Sequence, residues 1–348
     1  MLELLHSYRQ LALSWLGISN FQEYQLFLFL SSKQNTLTLP VSYLAFMSVV
    51  QPIFILGSPC SFTSLVAAML GQHPETYAVP ELNLFITETL EELALNLRGS
   101  RQFQSHGLLR TIAQLYAGEQ TLCSIDMARR WVSNRLQYKT AEIYVKLCHK
   151  ISPLRIVEPS HLYATDLEIL NRIRNTFPEA CFLHLLCHPK TQGESVMKIA
   201  NGAIAILEDW IDYSTEPPVI EPQYGWYKLN SNILNFLKRV PSHQKMSIRG
   251  EDIINDPCLN LEKICRWLNL NWDQSVLATL LRPQDSSYAS YGPYGTHLGL
   301  DPHFLKSPTF EAHKKVGIVS LEGSLSWRTD NKGFIPEVLQ LAQEFGYQ

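Results

Sequence analysis

The chain lacks several things, and each absence excludes something. No apolar run reaches 18 residues without interruption, so no membrane span is expected. The seven cysteines are odd in number and form no CxxC pair. That argues against a disulfide framework or a zinc site and for reduced thiols in a cytoplasmic protein. No His/Cys/Asp grouping has metal-ligand spacing, so no metal is expected. Basic residues are scattered, and 29 Lys and Arg face 32 Asp and Glu, for a net charge of −3. Such a balance carries no nucleic-acid footprint. Residues 1–16 have neither the basic n-region nor the small-residue cleavage site of a signal peptide. Internal repeats and low-complexity tracts are absent.

What is present is ample apolar matter, 46% of 348 residues, enough for one large domain or two small ones. Residues 1–50 differ from the rest. Leu2, Leu5, Tyr8, Leu11, Leu13 and Trp15 suggest a short amphipathic helix, and a second apolar patch spans 21–30. This stretch reads as an N-terminal helical extension, either packed on the core or forming a homodimer contact. It has no basic face that would favour a membrane surface. Residues 51–348 form the main domain.

That domain is organised around residues 52–85, PIFILGSPCSFTSLVAAMLGQHPETYAVPELNLF. An apolar strand, 52–56, runs into a Gly57-Ser58-Pro59 turn and then a helix over 61–72. Strand, turn and helix N-terminus in this order make a phosphate cradle, because first-turn N–H groups lack helical partners and sit at the positive end of the dipole. Such a cradle normally adds a glycine and a cation. Here Phe62 and Cys60 stand in those places. Further on, helical spacing covers 82–97, 108–116, 128–151, 162–177, 224–240 and 258–268. Strands cover 155–157, 181–186, where the run is continuously apolar, and 245–249. Repeated βα units predict an α/β fold with a mostly parallel sheet flanked by helices. Ligands in such sheets sit beyond the carboxyl ends of the strands, which gathers 58–64, 158–161 and 188–195 at one crevice. The Pro-, Gly-, Ser- and Tyr-rich stretch 282–332 predicts a lid or a wrapping segment. Its Tyr288, Tyr291 and Tyr294 suggest either the wall of an aromatic pocket or loop packing.

The chain resembles the sulfotransferase family, in particular the bacterial branch related to tyrosylprotein sulfotransferases. The resemblance runs from Pro52 to Tyr347. It is carried by the 52–85 stretch, by FPEACFLHLLCHPKTQGES at 177–195 and by IRGEDIINDPCLNLEKICRWLNL at 248–270. SSYASYGPYGTHLGLDPHFLKSP at 286–308 and LSWRTDNKGFIPEVLQLAQEFGY at 325–347 also carry it. It implies a P-loop-like sulfotransferase fold and transfer of a sulfuryl group from 3′-phosphoadenosine 5′-phosphosulfate (PAPS) to a hydroxyl or amine. By the same resemblance Ser58, Ser61, Thr63 and Ser64 hold the 5′-phosphosulfate, and Ser195 the 3′-phosphate. Glu81, in Val-Pro-Glu, matches the carboxylate base of the tyrosylprotein branch, and His161 falls near a base position. The family's basic residue at the first loop falls on Cys60, its glycine on Phe62, and its arginine at the second phosphate site on Cys187.

Two charge-assisted phosphate contacts are thereby missing, each worth about 1.5–3 kcal/mol. Arg155, Lys190 or Arg249, each near a predicted strand end, could compensate. A thiol at a helix N-terminus is expected to have a lowered pKa, and a neighbouring base would complete a nucleophile pair. The plain alternative is that Cys60 only fills the hole left by a larger residue. Glu81 is likewise either a base or a first-turn charge, and His161 either a site residue or a cap. The reading adopted is a sulfotransferase-fold enzyme turned to PAPS-independent chemistry on a small aromatic or acyl substrate in natural-product biosynthesis. Cys60, Glu81 and His161 are its catalytic residues, no cofactor is expected, and the step is carbon–carbon bond formation, acyl transfer or ring closure. Two alternatives stay open: PAPS-dependent sulfuryl transfer to a small-molecule hydroxyl, and a non-catalytic binding protein.

Overall fold

A computed structural model describes residues 49–311 and 313–348. The helices expected within 1–50 lie outside the described residues, save for Val49 and Val50 at its end. Residues Val50–Gln348 form one unit. Its centre is a five-stranded, all-parallel sheet in the order β2-β3-β1-β4-β7. The strands are β1 (Ile53–Leu56), β2 (Thr76–Ala78), β3 (Arg155–Pro159), β4 (Cys181–Leu186) and β7 (Lys245–Arg249). A small antiparallel pair, β5 (Ile211–Asp212) and β6 (Val219–Ile220), lies apart from it in the hydrogen-bonding pattern.

The apolar runs explain the central strands. A parallel strand covered on both faces is mostly apolar, and all four residues of β1 are apolar and buried. Alternation sends Ile53 and Ile55 to one face, against Val66, Leu70, Ile248 and Ile264. Phe54 points to the other, where its ring meets Phe85, Tyr144, Tyr163, Phe177 and Phe182 at centroid distances of 5.6–6.4 Å.

The helices divide more finely than their apolar spacing suggests. The stretch 82–97 is a 3-10 turn, Leu84–Ile86, followed by the helix Leu90–Asn96. Thr89 caps that helix with Glu92 in a reciprocal box, so it starts afresh there. The stretch 128–151 is two helices, Leu122–Ser133 and Thr140–Ile151. In 162–177 a 3-10 turn, His161–Thr165, precedes the helix Leu167–Thr176, which Asp166 caps. The first helix begins at Thr63 rather than at 61, because Cys60 (φ 63) and Phe62 (φ 61) are left-handed.

The long stretch from 286 wraps the body. Buried Arg110, on the helix His106–Ala117, donates to Leu298 O (3.1 Å), Ser290 O (2.8 Å), Tyr288 O (3.4 Å) and Gln120 Oε1 (2.7 Å). Farther on, Arg328 pairs with Asp212, Glu221 and Asp330 in a mostly buried network. Because every strand of the large sheet runs the same way, β1, β3, β4 and β7 all end at one edge. Gly57–Ser64, Ser160–His161, Cys187–His188 and Gly250 gather there.

Candidate active site

The loop after β1 is held from within. The Ser58 and Ser61 hydroxyls share a 2.7 Å hydrogen bond, and both residues are buried. Gln192 Nε2 donates to Pro59 O at 3.0 Å, tying the loop to the helix Pro189–Lys198. Thr63 and Ser64 are buried in the first helical turn. The Ser64 hydroxyl accepts the backbone N–H of Asp301 at 2.9 Å. Ser195 is elsewhere: it is half-buried on the helix Pro189–Lys198, and its carbonyl faces His303 Nε2 at 3.4 Å. Phe62 turns its ring onto Gly250, the first residue after β7, where any Cβ would collide with it.

Across the edge, His161 opens the turn after β3. Its Nδ1 lies 3.1 Å from Glu81 Oε1. Glu81 is fixed by its backbone: its N–H donates to Gly299 O at 2.8 Å, and its peptide leans on Gly107 so closely that no side chain would fit there. A hydrogen bond to a carboxylate puts the proton on Nδ1 and leaves Nε2 as the basic nitrogen. Nε2 is buried and has no partner among the described residues. Burial pulls the His161 pKa down, but the charge and hydrogen bond of Glu81, with Glu208 and Asp301 beyond, outweigh it and leave the pKa raised. The structure therefore brings Glu81 and His161 together as a carboxylate–imidazole pair.

Cys60 stands at the same edge, where its thiol feels the Asp301 carboxylate. The expected thiolate is not supported. Burial, then the charge of and hydrogen bond to Asp301, then the charge of Glu81 push the thiol well above its ordinary value. The helix dipole offers a fraction of a charge, and two carboxylates and desolvation outweigh it. Asp301 was not singled out by the sequence, yet it connects the parts. It caps the short helix Pro302–Lys306, donates its N–H to Ser64, and has a raised pKa from burial that Glu81 reinforces. The Asp-Pro start of that helix was the available signal.

The second corner follows β4. Cys187 is buried, and burial followed by Glu251 drives its thiol pKa up. Glu251 accepts from His188 N (2.8 Å) and from Tyr347 Oη (3.0 Å). His188 caps the helix Pro189–Lys198 through Nδ1, which takes the N–H of Lys190 at 3.2 Å. Burial lowers its pKa to about 4, so it is neutral near pH 7. His73 is structural, bonded to Asn271 O and Glu75 N. The three tyrosines share no pocket wall: Tyr288 is buried against Tyr77 and with it lines a small cavity beside Gly71 and Ser286, whereas Tyr291 and Tyr294 are exposed. Among the described residues no group of three His, Cys, Asp or Glu could hold a metal, and no helix is long and apolar enough to cross a membrane.

The sequence profile of the sulfotransferase family matches residues 52–274. The chain belongs to the sulfotransferase family. It is thus a transferase-like enzyme of that fold. A sulfotransferase domain from the curacin biosynthetic pathway superposes with a TM-score of 0.68 at 24% identity, covering 86% of this chain and 99% of that one. A sulfotransferase domain from the Synechococcus PCC 7002 olefin synthase gives 0.63 at 25% identity, with 86% and 96% covered. No curated protein matches by sequence.

The family implies PAPS; where the resemblance places its two phosphates, Cys60 has Asp301 and Glu81 as charged neighbours and Cys187 has Glu251. The three cations that might have compensated offer little. Arg155 is at the start of β3, the wrong end, tied to Gln51 O, Leu268 O and Cys181 Sγ. Arg249 is held in a fork by Asp252 at 2.9 Å. Lys190 lies in the first turn of the second corner's helix, two residues after His188.

Proposed function

We propose that this member of the family works without PAPS, as a base-assisted transferase or cyclase on a small aromatic or acyl substrate in natural-product metabolism. The observation that carries the proposal is the Glu81–His161 pair: a buried imidazole oriented by a carboxylate, with its second nitrogen unpartnered. His161 Nε2 takes the proton from an attacking hydroxyl, amine or acidic carbon as the new bond to a carbonyl carbon forms. In acyl transfer the proton returns to the leaving group; in an addition or ring closure it returns to the alkoxide. The first-turn N–H groups at Thr63–Leu65 face the carbonyl oxygen as charge develops on it. Cys60 acts in this reading as a neutral thiol, not as a standing thiolate. The sulfotransferase domains of two natural-product assembly systems support the metabolic setting.

Two measurements test this. Calorimetry with adenosine 3′,5′-bisphosphate should show no binding; micromolar affinity would restore sulfuryl transfer, which the Glu81–His161 pair could serve equally well. NMR titration of the His161 ring should give a midpoint above 6.5, moving to lower pH in Glu81→Gln as the carboxylate's support is lost. A midpoint that ignores the substitution would dismiss the pair as a catalytic unit, and with it the proposed base.

A further inference from the structure

Building on the reading of Glu81 and His161 as the base, we propose that Glu158, together with Asn83 and Ser160, positions that pair. These residues set the contact between carboxylate and imidazole and act through it rather than on substrate. The pair joins two segments of chain, 79–83 after β2 and 157–161 at the end of β3. Backbone pairing carries the two together only as far as Val79, whose N–H donates to Val157 O at 3.0 Å. Pro80 follows and has no N–H to continue the ladder. From there side chains take over. Glu158 Oε1 accepts the Leu82 N–H at 2.8 Å. Ser160 Oγ donates to Asn83 Oδ1 at 2.6 Å. Between these two ties, Glu81 Oε1 meets His161 Nδ1 at 3.1 Å.

Glu158 controls both partners at once. The oxygen that accepts Leu82, the residue after Glu81, also accepts Tyr163 Oη at 2.9 Å, two residues after His161. One atom therefore fixes the backbone beside the carboxylate and the turn that carries the imidazole. Asn83 closes the other side. Its backbone is left-handed (φ 54, ψ 21), which asparagine tolerates better than most residues, and its Nδ2 donates to Gln104 O at 2.8 Å. Glu158, Asn83 and Ser160 are all buried. Buried polar groups cannot exchange a lost partner for water, so each bond holds its segment in one arrangement. Little slack is available, because the Glu81–His161 distance is already near the long end of N–H···O hydrogen bonds. A loop shift of about 1 Å would break it.

The test reads the His161 ring by NMR in the full chain and needs no substrate. Glu158→Met removes the accepting oxygen and Ser160→Ala the hydroxyl. Asn83→Gly removes both amide contacts and keeps a residue that accepts positive φ. In each, the ring's titration midpoint should fall by about half a pH unit or more, towards that of Glu81→Gln, as the carboxylate leaves its place. The neutral ring should then show a mixture of tautomers instead of the single Nδ1–H form. Glu208 and Asp301, which also raise the His161 pKa, are untouched by these substitutions. Glu158→Gln is the rescue. It removes the ionisable group, keeps an oxygen for Leu82 and Tyr163, and should leave midpoint and tautomer close to the wild type's. Circular dichroism checks the fold; should Glu158→Met unfold, Asn83→Gly and Ser160→Ala carry the test. A wild-type midpoint and tautomer in those two folded variants would overturn the inference. So would an equal fall in Glu158→Gln and Glu158→Met, because charge rather than position would then be at work. Glu81→Gln separates the two readings. If it alone lowers the midpoint, the pair stands as the base and its positioning by Glu158 falls; if it too changes nothing, both fall.

Discussion

Phe62 holds a backbone conformation that favours glycine, and the protein accommodates this across the crevice by placing glycine at position 250. The left-handed φ of 61° costs roughly 1 kcal/mol for a residue with a Cβ. The ring recovers some of that by packing on Gly250 and on the apolar cluster around it. Gly250→Ala should therefore destabilise the wild type by about 1–3 kcal/mol, and clearly less in a Phe62→Gly background. A double-mutant cycle in urea reads the coupling, and additivity would show that the two residues do not support each other. Cys60 gives a second prediction at this scale. With its thiol held protonated by burial and by Asp301, alkylation by iodoacetamide at pH 8 should lag behind that of exposed Cys123 and Cys258. Mass spectrometry of a time course checks this; labelling of Cys60 first would mean a thiolate after all. The sequence showed that Cys60 and Phe62 replace a cation and a glycine. It could not show that Asp301 stands beside them, because residue 301 reaches Ser64 across a separation of 237 positions.

Legibility differed from element to element. β4 has the bounds its apolar run suggests, since a strand covered on both faces is mostly apolar; β7, an edge strand with Ile248 as its one buried residue, also has the bounds expected for it. The three-residue β2 had no such run and escaped notice. Helix breaks at Thr89 and Asp166 were hidden because each cap sits inside an apolar spacing that continues on both sides. β3 holds a further consequence. Glu158 is fully buried in it, accepting Leu82 N at 2.8 Å and Tyr163 Oη at 2.9 Å, and burial raises its pKa to about 8. An acid whose pKa is raised on folding binds its proton more tightly when folded. Its contribution is most favourable below the unfolded value near 4.5, declines as pH rises towards 8, and is level above that. The decline amounts to about 5 kcal/mol if nothing relaxes. Glu158→Gln should flatten that slope in urea midpoints measured from pH 5 to 8, and an unchanged slope would acquit Glu158.

At the scale of the molecule, the wrapping segment depends on one buried cation. Among the described residues Arg110 has no carboxylate partner; it is satisfied by three carbonyls of the segment and by Gln120, and burial lowers its pKa to about 10. Arg110→Met would strand those carbonyls and should cost about 3 kcal/mol or more. Limited proteolysis should then cut within 286–300, where the wild type resists. Resistance equal to the wild type's would place the anchor elsewhere. The βα order and the family motifs announced the architecture. The anchoring of the wrap was illegible, because it uses backbone carbonyls, which any residue supplies.

The seam where Gly299 and Asp301 meet Glu81 and Ser64 also bears on time. A chain emerging from the ribosome presents Cys60, Glu81 and His161 long before residue 301 is made. Until then Glu81 lacks the carbonyl that fixes its backbone, and the loop lacks its second carboxylate. The crevice is therefore complete only once residues 299–301 have been made and have docked on Glu81 and Ser64.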